Sequence, residues 1–186
     1  MTQWLETMKM HKRGTARIIA AIAGLIFCAL CSGQATKPND AFKDVTPAKA
    51  PLKTELFNLV DETGDFYNTP DGKNVRQAFD SLINSTGSKT GQMKERLLSG
   101  PEPEGALWQA GTTQKWLYSA CQQHVCSTTN AVLLYNQESK QMVGRLMVRC
   151  NVTWLGDPTD TDKALIDTTS PVDSNDPNRK FDCAKG

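Results

Sequence analysis

The spacing of apolar residues changes twice along this chain. Residues 18–30 hold no charged or strongly polar side chain. Over 73–84 the spacing is helical: Val75, Phe79, Leu82 and Ile83 fall at i, i+4, i+7 and i+8, one stripe down a helix. Asp71 is placed to cap its start. A second short helix is predicted over 92–99, with Met93, Leu97 and Leu98 on one side and Gly100 at its end. Residues 54–60, with Leu56, Phe57, Leu59 and Val60, read as a short helix or a first strand. The run Pro101-Glu102-Pro103-Glu104-Gly105 forbids regular structure, and after it the pattern turns extended. Strands are predicted over 106–108, 114–120, 131–135 and 141–150, with a polar hairpin turn over 136–140. In 141–150, Met142, Leu146, Val148 and Cys150 share one face. Arg145 and Arg149 share the other and are expected on an exposed strand face, although Val143 and Met147 on the same side point to cover there too. Residues 151–155 continue this strand or make the next. Gly156, Asp157 and Pro158 stop it, and 160–167 suits a short helix with Ala164, Leu165 and Ile166 inward. Helices first and a meander after them predict an α+β domain. Its antiparallel sheet has about five strands and is covered on one side by helices.

The ends of the chain change the picture. Lys9, Lys12, Arg13 and Arg17 precede the apolar run 18–30, and Ser32, Gly33 and Ala35 follow it, the order of a secretory signal peptide over 1–35. An uncleaved anchor and a lipoprotein at Cys31 are the alternatives. Residues 36–53, with Pro38, Pro47 and Pro51, read as an extended tether, and the loop region runs on to residue 72. The domain proper is expected over 73–167, with a polar tail over 168–186. Loss of 1–35 turns 21 Lys and Arg against 20 Asp and Glu into 17 against 19. That is not the balance of a nucleic-acid binder. Cys121, Cys126, Cys150 and Cys183 remain, which in an exported chain read as two disulfides with three connectivities. Cys121–Cys126 with Cys150–Cys183 is favoured, because the first pair is close in sequence. The chain-entropy model assigns about 2 kcal/mol to the short ring and about 3–4 kcal/mol to the long one. The second bridge would tie the tail.

Candidate chemistry gathers at Cys121-Gln122-Gln123-His124-Val125-Cys126, between two predicted strands. His124 is the only histidine beyond residue 35. A disulfide here makes a protruding finger with His124 near its tip. These residue types have other uses. Zinc needs reduced thiols and a fourth ligand such as Cys150. A thioredoxin-like pair wants two intervening residues, not four. A hydrolase triad needs His124 oriented by a carboxylate. A hairpin stapled for stability, with His124 idle, is the plainest reading. Trp108, Trp116 and Trp154 read as core anchors before sugar platforms.

The segment 117–126, then Ala131-Val132-Leu133-Leu134-Tyr135 and Glu138-Ser139-Lys140-Gln141-Met142-Val143-Gly144, resembles the inhibitor of vertebrate lysozyme (Ivy) family of bacterial periplasmic proteins. That family carries a Cys-Lys-Pro-His-Asp-Cys loop between two strands, then a hairpin with Lys-Gln-Met and Gly. Trp154-Leu155-Gly156, Pro158 and Ala164-Leu165 resemble its end. Gln122-Gln123 stand where the family has Lys-Pro, and Val125 where it has Asp. The resemblance implies a periplasmic, non-enzymatic, cofactor-free protein that serves bacterial defence. Its partner would be lysozyme or a related peptidoglycan hydrolase, with no nucleic acid, no membrane after signal cleavage, and a homodimer. The implied contact residues are His124, Gln122, Gln123 and Val125. An immunity protein or regulator acting on another hydrolase or lytic transglycosylase, and a periplasmic metal-binding module, are the alternatives.

Overall fold

Strand propensity and burial together explain why the second half of the chain becomes a sheet. The run Ala131-Val132-Leu133-Leu134-Tyr135 is buried at every position, so it must be covered on both faces. The computed structural model describes residues 41–87, 90–173 and Cys183. In it this run is β4 (Asn130–Asn136), near the middle of a six-stranded antiparallel sheet. The others are β1 (Phe42–Asp44), β2 (Ala106–Ala110), β3 (Thr113–Cys121), β5 (Gln141–Val148) and β6 (Asn151–Leu155), in the spatial order β1-β2-β3-β4-β5-β6.

One face carries α1 (Leu56–Val60), α2 (Pro70–Asn84) and α3 (Thr90–Leu97). The stripe Val75, Phe79, Leu82 and Ile83 packs with Leu56, Leu59, Met93 and Leu97 onto Trp116, Tyr118, Leu133, Tyr135, Met142 and Leu146. The opposite face is smaller. There Leu117, Val132 and Leu134 meet Leu165 and Ile166 of α4 (Asp160–Thr169), flanked by half-buried Trp108 and Trp154. The class is α+β, with the main helical cover on one side and α4 added on the other.

Several details differ from the sequence expectation. α2 starts earlier: Thr69, not Asp71, is its cap, accepting from the Gly72 amide at 3.0 Å, with Pro70 in the first turn. Arg145 is buried, not exposed. Its Nη1 meets Asp167 Oδ1 at 2.7 Å and its Nη2 donates to Ser170 O at 2.6 Å, because α4 covers that face. Ala164 points outward, while Asp162 is buried. Burial would raise the Asp162 pKa, but bonds from Lys115 and Thr159 outweigh it and hold it low. The tether expected over 36–53 does not describe residues 42–53. β1 pairs with β2, and Leu52 is 1 % exposed in the core, where its carbonyl accepts from Tyr118 Oη at 2.9 Å. β5 ends at Val148, and 151–155 forms its own strand. Arg149 and Cys150, with φ of 47° and 69°, make the two-residue turn between them.

Candidate functional site

The ends of β3 and β4 are paired at Cys121 and Asn130, and the eight residues between them form the loop. Cys121 and Cys126 are disulfide-bonded with Cα atoms 4.9 Å apart, so the first part of the loop is a closed ring. A disulfide-closed finger between two strands would have one cysteine at each foot. Cys121 is one foot, but Cys126 lies midway. Residues 125–129 fold into a turn of their own, in which Val125 O accepts from the Thr128 and Thr129 amides at 3.0 and 2.8 Å. Asn130 Nδ2 closes that turn by donating to Cys126 O at 2.6 Å.

The ring is braced from three directions. From below, buried Thr129 accepts from the Gln122 amide through its carbonyl at 3.0 Å. From α3, Arg96 Nε and Nη2 both donate to Gln122 Oε1, at 3.1 and 2.9 Å. The strap after α3 adds two more bonds. Ser99 Oγ accepts from the Gln123 amide at 3.0 Å, and the Gly100 amide donates to Cys121 O at 2.9 Å. Residue 100 has to be glycine, since a Cβ there would stand 2.5 Å from Cys121 O and 2.7 Å from its Sγ. The β5–β6 turn closes the third side: the Cys150 amide donates to Thr128 O at 3.0 Å. Cys150 is itself bonded to Cys183, so both disulfides serve this end of the sheet. Both fit an oxidising compartment.

His124 stands exposed on this frame with φ of 67°, a left-handed conformation that costs a β-carbon-bearing residue about 1–2 kcal/mol. Among the described residues nothing lies within hydrogen-bond reach of its imidazole. No carboxylate among the described residues orients it as a catalytic base would require. Gln123 is exposed beside it, and Val125 is half-buried with its backbone committed to the turn. Gln122 faces inward to Arg96. Four of the expected residues are therefore brought together, but only Gln123 and His124 project freely. Arg96, Ser99, Thr128, Thr129 and Arg149 were missed. Thr128 and Thr129 lie in the same stretch of chain, while the rest arrive from distant elements.

Both cysteine pairs are bridged, which removes the thiolates that a zinc site would need. No cluster of three or more His, Cys, Asp or Glu side chains among the described residues could hold a metal. A groove of about 810 Å³ lies between α2 and the β4–β5 hairpin and contains no residue of the ring. No described helix is long and apolar enough to cross a membrane. Compared with known family models, curated proteins and solved structures, the chain has no match.

Proposed function

We propose that this protein is an exported inhibitor of lysozyme of the c type, which it blocks by seating the Cys121–Cys126 ring and His124 in the active-site cleft. The observation that carries this reading is an exposed, unbonded imidazole at the tip of a covalently closed, hydrogen-bonded ring. A retaining glycosidase offers two carboxyl groups about 5 Å apart in a cleft. One is an acid of raised pKa and the other is ionised. An imidazole presents Nδ1 and Nε2 on opposite sides and can bond to both. In the protonated form those bonds are charge-assisted in a water-poor site. The ring and its braces hold this geometry before contact, so little ordering entropy is lost on binding. The loop holds no glycosidic bond, so the enzyme is occupied without turnover.

A turbidity assay of lysozyme on bacterial walls tests this. The oxidised protein should inhibit, and His124→Ala should weaken inhibition about thirtyfold or more, the range of an anchor worth about 2 kcal/mol. Equal potency of the variant, with its thermal unfolding unchanged, removes His124 from the mechanism. The Gln122–Arg96 contact supports a second reading, since it leaves the rim with different chemistry from the family loop. The target would then be another wall-cleaving hydrolase or a lytic transglycosylase, with this protein as immunity factor or regulator. Capture of such an enzyme in preference to c-type lysozyme would establish that alternative.

A further inference from the structure

The ring is not the only strained, exposed element at this end of the sheet. Beside it, the β5–β6 turn places Arg149 at φ 47° and Cys150 at φ 69°. A two-residue turn of this kind normally carries Asn-Gly or Asp-Gly, for which a positive φ is cheap. Here neither residue is glycine or asparagine, so the backbone is strained at both. It is held by the Cys150–Cys183 bridge, by the bond from the Cys150 amide to Thr128 O, and by the Arg149 amide, which faces Thr129 Oγ1 at 3.4 Å. Thr129 also accepts from the Gln122 amide and donates to Val125 O, so one buried threonine joins the turn to the ring. Turn and ring are therefore hydrogen-bonded to the same residue.

Charge distinguishes this surface. Among the residues that make these contacts, Arg96 and Arg149 are the charged ones, and both are cationic. Arg96 is committed to Gln122. Arg149 is exposed, and its guanidinium meets no partner among the described residues. We infer that Arg149 is a second prong of the docking surface, a specificity-determining cation that meets a carboxylate on the rim of the target cleft while His124 enters it. This rests on the inhibitor reading above and adds the sign and position of the rim contact. A guanidinium presents a rigid fork to a carboxylate, and at a rim its main effect is on encounter rate and partner choice.

The experiment measures association and dissociation rates of the oxidised protein with c-type lysozyme at several salt concentrations. Arg149→Asn removes the charge and suits the left-handed backbone, so the fold is kept; Arg149→Asp inverts the charge; Arg149→Lys restores it. We expect Arg149→Asn to slow association about fivefold at low salt and to flatten its salt dependence, Arg149→Asp to slow it further, and Arg149→Lys to recover most of the loss. Should wild type bind and His124→Ala weaken it while Arg149→Asn and Arg149→Asp leave both rate and salt slope unchanged, the second prong is refuted and the inhibitor reading stands. A salt-independent loss in Arg149→Asn refutes it too, as a structural effect. Absence of binding by wild type removes both proposals together.

Discussion

At the scale of single residues, unusual backbone and unusual burial mark different things. His124 and Arg149 hold left-handed φ values at the surface. Glu102 is the reverse: a carboxyl drawn into the interior. Its Oε2 accepts from the Phe57 amide at 2.9 Å, capping α1 from 45 positions away, while its buried Oε1 has no partner among the described residues. Burial pushes its pKa from 4.5 up to about 7, aided by the charge of Glu55 and opposed by the amide bond from Phe57. The folded chain therefore holds the proton more tightly than the unfolded one. Its contribution to stability is fully present below about pH 4.5 and is lost as pH rises through about 7. We expect Glu102→Gln to flatten this dependence. Denaturant unfolding at pH 4.5 and 8 should show the wild type losing up to about 3 kcal/mol relative to the variant. Parallel pH curves for the two would show that Glu102 is not the group responsible.

The loop illustrates how elements acquire shape from their neighbours. A disulfide ring of six residues alone restrains little of the chain, and the bonds to Thr129, Arg96, Ser99 and Gly100 do the rest. Replacing both ring cysteines, Cys121→Ala with Cys126→Ala, should therefore lower global stability by about 2 kcal/mol or less. Inhibition should fall by more than that figure converts to. A calorimetric scan beside an inhibition curve separates the two effects, and equal potency with the ring opened would show that covalent closure plays no part. Helix boundaries carry a similar lesson. α2 was readable from its apolar stripe, but its start was not, because Thr69 and Pro70 outcompete Asp71 as the beginning of the first turn.

At the scale of the whole molecule, the largest departure from expectation is the segment before α1. Its proline-rich composition suggests a tether, yet β1 edges the sheet and Leu52 seals the core beneath Tyr118. Leu52→Ala should cost about 2–5 kcal/mol in denaturant unfolding, as for a buried leucine. A change under about 0.5 kcal/mol, the range of an exposed position, would return the segment to tether status. The back face teaches the same point. α4 covers Leu117, Val132 and Leu134, and in doing so buries Arg145, which must then find Asp167 and Ser170 O.

The amino-acid sequence by itself determined the α+β class, the helix around Phe79, the hairpin strands and the position of His124 between two cysteines, and it favoured the two disulfide pairings that the structure holds. These follow from periodicity, turn chemistry and cysteine spacing, all short-range or countable properties. Tertiary structure alone decided that Leu52 belongs to the core, that Arg145 is buried, that Gln122 turns inward to Arg96, and that Arg149 stands beside the ring. Each of those depends on contacts between residues 20 or more positions apart, or on which sheet face a distant helix comes to cover, and no local pattern of apolar and polar residues encodes that choice.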